Sequence, residues 1–269
     1  MSRDSGKLRD ALYTGTVTND QALEAARLLA AARTSGTAGP RLPEEVRPGS
    51  LEDAFLIQQK VSELLGGNSI GYKCSAPTAE RAANVSPVLR RGLINRSPVP
   101  VQTDRTRIEP EVAYVLGKDL PARAEPYTMR EVSDAISQVR LVLELIAVRF
   151  LPDSGAGFLE SLAGHLSNEG LFLGPQVAIA PDDPALSGFP IVIESPTGIV
   201  MERDGKHPDG HPMKALLWLT NFLSSRGEAL KEGQLVTTGS FAGALELPLN
   251  TPLRIMFGGV GDIECELVR

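Results

Sequence analysis

The stretch IEPEVAYVLG (residues 108–117) alternates apolar and polar side chains, and LVLELIAV (141–148) is a continuous apolar run interrupted by one acid. Alternation with a period of two is typical of a strand with one buried face, and a short apolar run is consistent with a fully buried strand. Each stretch therefore predicts a strand, and together they carry three glutamates, Glu109, Glu111 and Glu144.

Further strand patterns dominate the chain after residue 105. Short runs bounded by Gly, Pro or Asn predict strands at 176–180, 190–195, 199–203, 234–240, 252–257 and 262–268. Helices are predicted at 20–33, from Ser50 to 65, over 86–94, from Thr128 to about Val139 and at 213–225.

Strands outnumber helices in this part of the chain and do not alternate regularly with them, which argues against a doubly wound parallel sheet. We predict an α+β fold. Its N-terminal helical segment, with a loop near the active site, would span 1–104, and a strand-rich domain would span 105–269, the two forming one continuous fold.

Composition excludes several classes of protein. The 269 residues include 27 basic and 33 acidic side chains, a net charge of −6, which argues against binding nucleic acid. Two cysteines cannot form a disulfide framework, and charges interrupt every apolar stretch well before the ~18 residues of a membrane span. We expect a cytoplasmic protein that contacts neither nucleic acid nor membrane.

The three glutamates are the most informative residues. Residues i and i+2 of a strand share a face, so Glu109 and Glu111 project side by side, and Glu144 is surrounded by apolar neighbours. A buried carboxylate is costly unless it is paired or bound to a cation, and an all-oxygen site suits Mg²⁺ or Mn²⁺. The alternative is a solvated Glu-x-Glu face, with Glu144 paired to Arg140 or Arg149.

Longer segments around these residues resemble a known family. IEPEVAYVLGKDLP (108–121), LELIAVRF (143–150) and WLTNFLSSRGEALKEGQLVTTGS (218–240) resemble the 2-keto-4-pentenoate hydratase and 4-oxalocrotonate decarboxylase group of the fumarylacetoacetate hydrolase superfamily. The resemblance runs in order from about Tyr72 to the C-terminus. It implies a mixed β-roll with an N-terminal helical part, and it implies Glu109, Glu111 and Glu144 as ligands of a divalent metal.

The resemblance also implies residues that act on the substrate. Lys73 in GYKCSAP (71–77) matches a Gly-x-Lys segment whose lysine reaches the active site, where an ammonium could stabilise enolate charge or exchange a proton. Ser75, Thr238 and Ser240 are the implied substrate-binding residues. The alternatives are a surface lysine after a glycine turn, and an ordinary strand-to-loop turn at 237–240.

Three departures from the family pattern change the surroundings of this site. Val88 stands where typical hydratases carry an aspartate and decarboxylase relatives tend to carry an apolar residue, and Ala147 replaces another aspartate. The segment 164–168 differs from the family's Asp-Asn-Ala-Ser-Ser. Within it, His165 could supply a replacement proton carrier, or it could be structural.

The resemblance therefore implies a metal-dependent lyase that adds water to a 2-oxoenoate in aromatic catabolism. Its alternatives are a 4-oxalocrotonate-type decarboxylase and a divergent, non-catalytic subunit of a complex. A small 2-oxo acid is the expected ligand, and the chain is expected to form a homo-oligomer or a complex with a related pathway enzyme. A second carboxylate on the ligand could meet Arg81, Arg90 or Arg91, although these side chains could equally face solvent.

Overall fold

The computed structural model describes residues 16–103 and 107–269, which divide into two compact units. One unit contains the described residues up to Gly67 together with Val148–Ser167, and the other contains the described parts of Asn68–Ala147 and Asn168–Arg269. The domain boundary expected at residue 104 lies outside the described residues. Residues 68–103 belong with the strand-rich unit because their strands pair with its sheets.

Helices and strands are mixed along the chain, which confirms the α+β class. The helices are α1 (Asn19–Ser35), α2 (Leu51–Leu64), α3 (Met129–Ser133), α4 (Phe158–Ala163) and α5 (Pro212–Ser225). The strands are β1 (Ser69–Ser75), β2 (Asn84–Leu89), β3 (Leu93–Ile94), β4 (Val99–Pro100), β5 (Arg107–Leu116), β6 (Ile136–Ile146), β7 (Asn168–Val177), β8 (Gly188–Ser195), β9 (Gly198–Lys206), β10 (Leu235–Thr237), β11 (Pro252–Phe257) and β12 (Gly261–Val268).

The helical unit is held together by capped helices that share an apolar core. Thr18 and Gln21 form a capping box at the start of α1, Gly36 ends that helix in a left-handed conformation, and Ser50 caps α2. The facing side chains are small or branched, which allows close packing of the helices. They include Ala22, Ala26, Leu29, Ala54 and Ile57.

The strand-rich unit consists of two mixed sheets. The larger has the order β2-β1-β10-β5-β6-β7-β3, and the smaller has the order β4-β12-β11-β8-β9. In the larger sheet β5 and β6 pair in antiparallel fashion over nearly their full length, whereas β1 and β10 are parallel. The stretches 108–117 and 141–148 fall largely within β5 and β6, which confirms their strand character, and these strands are adjacent in the centre of the sheet. None of the helices in residues 16–103 and 107–269 combines the length and apolar character needed to cross a membrane.

Two of the predicted helices are wrong in extent or type. Residues 86–94 form β2, a short 3-10 turn and β3, and Pro87 is tolerated because β2 is an edge strand. The helix expected from Thr128 to Val139 has its predicted capping box but ends at Ser133. Strand β6 begins at Ile136, where the backbone pairs with Leu116 of β5.

Gly71 allows β1 and β10 to approach each other. Its φ is +150°, and a Cβ at this position would lie 1.7 Å from the carbonyl oxygen of Leu235. No side chain fits there without separating the two strands, and Lys73 lies two residues further along the same strand.

We predict that Gly71→Ala lowers the free energy of unfolding by about 3 kcal/mol or more beyond the effect of Gly198→Ala, measured by urea denaturation. Gly198 is the matched control, since its φ of +126° is also positive but no atom lies within 4 Å of its Cβ position. Equal losses in the two variants would show that the contact with Leu235 is unimportant.

Candidate metal centre

Strand register brings the three predicted glutamates together. Glu109 and Glu111 lie two residues apart on β5 and therefore share a face, and Glu144 of β6 is the direct cross-strand partner of Glu109. One carboxylate oxygen from each residue lies within 4.8 Å of the other two. Glu111 and Glu144 are buried and Glu109 is half-buried, so the solvated face considered as an alternative is not observed.

Burial and neighbouring carboxylates raise the pKa of Glu111 and of Glu109. Burial, followed by repulsion from Glu144 and Glu109, raises the pKa of Glu111 well above its usual range. Burial and the charge of Glu144 also raise the pKa of Glu109. Three carboxylates at this spacing, two of them buried, need compensating positive charge if all are to stay ionised.

Part of that charge comes from Lys73. Its Nζ donates a hydrogen bond of 2.5 Å to Oε1 of Glu144, and the side chain is mostly buried. Burial alone would lower the pKa of the Lys73 ammonium, but attraction to Glu144 and Glu109 outweighs burial and raises it. Lys73 is therefore a charged member of the cluster and not a surface lysine.

The second carboxylate oxygen of Glu144 is suited to bind a cation. Asn168 Nδ2 donates to the same Oε1 at 2.8 Å, so two protein donors occupy that oxygen. Oε2 of Glu144 is buried and has no hydrogen-bond partner in the described part of the chain. An ionised oxygen without a donor is costly in the interior, and all-oxygen donor sets suit hard divalent ions. The residues present therefore fit a divalent metal.

A backbone N–H group in the loop after β10 binds the carboxylate of Glu111. Gly239 N–H donates a hydrogen bond of 3.1 Å to Oε2 of Glu111. Pro208 packs against Gly239, where a Cβ would lie 3.0 Å from its Cγ, so a side chain there would disturb this donor. A glycine at 239 thus lets the backbone approach the carboxylate.

The predicted substrate-binding residues occupy different surroundings. Ser75 is buried at the end of β1, two residues beyond Lys73 on the same face. The Thr238 hydroxyl lies 3.2 Å from Nε2 of His207, and the Ser240 hydroxyl donates to the carbonyl of Gly243 at 3.0 Å. The structure therefore places Ser75 near Lys73, Thr238 against His207, and Ser240 against its own loop and the carbonyl of Pro110 on β5.

His165 belongs to the helical unit. Its Nδ1 lies 2.9 Å from Nη1 of Arg33 and its Nε2 lies 3.0 Å from the hydroxyl of Ser62. Arg33 can only donate, so Nδ1 accepts and Nε2 carries the proton. The imidazole is fully buried. Its described contacts are those of a structural histidine, and its proposed role in proton transfer stays a prediction.

Nothing in the sequence pattern indicates that Asn168 belongs to this site or that the backbone N–H of Gly239 binds Glu111. Asn168 lies in the segment that was noted as a departure, but only the pairing of β7 with β6 shows that its amide reaches Glu144. Of the other departures, Val88 is fully buried in an apolar cluster with Ala113 and Val142, and Ala147 is buried.

Comparison with known proteins identifies the same family as the sequence resemblance. Residues 80–267 match the model of the fumarylacetoacetate (FAA) hydrolase C-terminal domain. The 2-oxo-hept-4-ene-1,7-dioate hydratase of Escherichia coli is 27% identical over 81% of this chain and 87% of the relative. The 2-keto-4-pentenoate hydratase of Paraburkholderia xenovorans is 26% identical over 60% of this chain, but the alignment covers only 58% of that relative.

A solved structure shares the fold. The 4-oxalocrotonate decarboxylase of Pseudomonas putida G7, complexed with magnesium and adipate, superimposes with a TM-score of 0.78 at 18% identity and covers 94% of this chain and 99% of that one. At this identity the likeness concerns the fold alone. It confirms the predicted β-roll with an N-terminal helical part.

His207 gives this region a predicted dependence of stability on pH. Burial, only partly offset by Asp209, lowers the pKa of His207 to about 4 from 6.5. Below pH 6.5 the unfolded chain takes up a proton that the folded chain refuses, so stability falls as the pH falls from 6.5 to 4.

We predict that the wild-type free energy of unfolding falls by up to about 3 kcal/mol more than that of His207→Gln over this range. Urea denaturation at pH 7, 5.5 and 4.5 measures the difference. Parallel curves for the two proteins would contradict the prediction.

Proposed function

The chain belongs to the fumarylacetoacetate (FAA) hydrolase family, and from this premise we propose that it is a divalent-metal-dependent lyase that adds water to a 2-oxoenoate in aromatic catabolism. The observation that carries the proposal is the convergence of Glu109, Glu111 and Glu144 beside a buried, charged Lys73. Three acids and one ammonium on one sheet face form a site for a cation and an anionic ligand together.

The metal would be held by the three glutamates, with Glu144 presenting Oε2 because Lys73 and Asn168 occupy Oε1. When bound, a divalent ion supplies Lewis acidity toward the carboxylate and 2-oxo oxygens of such a substrate. Mg²⁺ and Mn²⁺ are the proposed ions. Magnesium is also the ion named with the decarboxylase of P. putida.

Lys73 supplies the positive charge on the protein side. Its raised pKa keeps the proton on Nζ, so the ammonium can donate to an oxygen on which negative charge develops as the substrate becomes an enolate. Gly239 N–H fixes the Glu111 carboxylate. The buried strands around the cluster exclude bulk water, which strengthens these electrostatic interactions.

Decarboxylation is the second candidate, and Val88 favours it. Val88 pairs with Gly71 in register and therefore lies on the Lys73 face of the sheet, where it is fully buried. An apolar side chain at this position cannot exchange a proton with the substrate, whereas loss of CO₂ needs only a stabilised enolate. Hydration and decarboxylation would use the same glutamates and the same lysine.

We propose that the remaining properties follow those of the family. The ligand would be a small 2-oxo acid, and the chain would act in the cytoplasm as a homo-oligomer or in a complex with a related pathway enzyme. No role is proposed for nucleic acid or membrane.

Metal binding predicts a thermal shift. At about 100 times its Kd, Mg²⁺ would stabilise the folded chain by about 2.7 kcal/mol, which corresponds to a rise in Tm of roughly 5 °C or more. Glu111→Gln should abolish the rise, because it removes one of three charges from the cluster. Glu202→Gln, a change on the exposed strand β9, should leave it intact. Wild-type protein that responds to neither Mg²⁺ nor Mn²⁺ would refute the metal centre.

Turnover distinguishes the two reactions. With Mg²⁺ present, 2-hydroxypenta-2,4-dienoate should lose its conjugated absorbance if the protein hydrates, and 4-oxalocrotonate should release CO₂ if it decarboxylates. Lys73→Gln should lower kcat by about 100-fold or more while the Mg²⁺-induced thermal shift persists.

Lys231→Gln is the control for this substitution, since Lys231 pairs with Asp119 on the surface. Lack of activity of the wild-type protein on either compound would reject both reactions on these substrates.

A further inference from the structure

Two buried hydroxyls near Lys73 lack partners. Ser86 Oγ and Thr237 Oγ1 have no hydrogen-bond partner within residues 16–103 and 107–269, although Ser86 is 0% and Thr237 1% exposed. The amide oxygen of Asn84 is a third such atom. Most buried polar side-chain atoms in folded proteins are hydrogen-bonded, so each exception needs an explanation.

Strand pairing places one hydroxyl on each side of Lys73. Ser86 of β2 is the antiparallel partner of Lys73, and Thr237 of β10 is its parallel partner. Directly paired residues point to the same face of a sheet. Ser86, Lys73 and Thr237 therefore form a row across three neighbouring strands, on the face that carries the three glutamates, because Thr237 in turn pairs with Ala113 of β5.

These hydroxyls do not stabilise the fold by any contact that the structure describes. A buried hydroxyl without a partner costs its desolvation, and replacing it with an apolar group of similar shape is neutral or stabilising. Residues kept at a cost to stability are typical of functional sites. The same sheet face packs apolar side chains elsewhere, including Val88 and Val142, so a polar row is not required by its position.

The chemistry of the row indicates an oxygen-bearing ligand group. Two buried hydroxyl donors without partners match a carboxylate or another negatively polarised oxygen. Ser86 lies on β2, three strands away from Glu111 in the order β2-β1-β10-β5. It is therefore remote from the proposed metal site. Arg81 is a weaker candidate for this role, because its guanidinium binds Asp209 and the carbonyl of Ala76.

We propose that Ser86 and Thr237 contact the substrate and bind an oxygen-bearing group at its distal end, which selects 2-oxo acids with a second carboxylate. This inference rests on the proposed function, since it assumes that the carboxylate and 2-oxo group lie at the glutamates. It names the distal group, which the family resemblance leaves open.

Isothermal titration of the Mg²⁺-loaded full-length protein tests the proposal. The probes are 2-oxoadipate, which has a distal carboxylate, and pyruvate, which ends at the methyl group. Ser86→Ala and Thr237→Val should each weaken 2-oxoadipate binding by about tenfold and leave pyruvate binding unchanged. Equal affinities of variant and wild type for 2-oxoadipate, or equal losses for both probes, would overturn the proposal.

Stability provides the second readout. Ser86→Ala should not lower Tm, because its hydroxyl makes no hydrogen bond to the described chain. Ser224→Ala is the matched control, since this buried hydroxyl bonds both the N–H and the carbonyl of Arg123. It should lower Tm and leave both affinities unchanged. A lowered Tm with unchanged affinity in Ser86→Ala would show that the hydroxyl is structural.

The two proposals fail in distinguishable ways. Wild-type protein that binds neither probe in the presence of Mg²⁺ would reject the proposed function, and the distal contact with it. Wild-type protein that binds 2-oxoadipate, with variants that bind it equally well, would reject only the distal contact.

Discussion

Repulsion among three closely spaced carboxylates, two of them buried and one half-buried, is the constraint on which the site depends. Glu109, Glu111 and Glu144 share one face of two adjacent central strands, and burial together with the charges of the other two raises the pKa of Glu111. The Lys73 ammonium, the Asn168 side-chain amide and the Gly239 backbone N–H compensate only part of this charge. A divalent cation would compensate the rest, which is why the donor set, the burial and the bare Oε2 of Glu144 all favour a metal centre.

The sheet order explains how one lysine reaches this cluster. Lys73 stands on β1, separated from Glu144 of β6 by β10 and β5. The residues in its row on those two strands are Thr237 and Ala113, which are small enough to leave space above the sheet. Gly71 lets β1 pack directly against β10. Small side chains at these positions thus position Lys73 as much as its own strand does.

Much of this arrangement could be predicted from the sequence, because it depends on local periodicity. The two-residue spacing of Glu109 and Glu111 fixes their shared face wherever the strand lies. The pairing of Glu109 with Glu144 depends on the register between two strands that are separate in sequence. The contact of Asn168 with Glu144 depends on a second such register. The sequence likewise does not distinguish the roles of Thr237 and Thr238. Only the pairing of β10 with β1 shows that Thr237 lies beside Lys73, whereas Thr238 contacts His207.

An anomalous difference map from crystals grown with Mn²⁺ tests whether Glu109, Glu111 and Glu144 hold one divalent ion. We expect one strong peak per chain, within about 2.3 Å of a carboxylate oxygen from each of the three glutamates, with Oε2 as the ligand atom of Glu144. The absence of a peak between these carboxylates at saturating Mn²⁺, or a peak held by other residues alone, would contradict it.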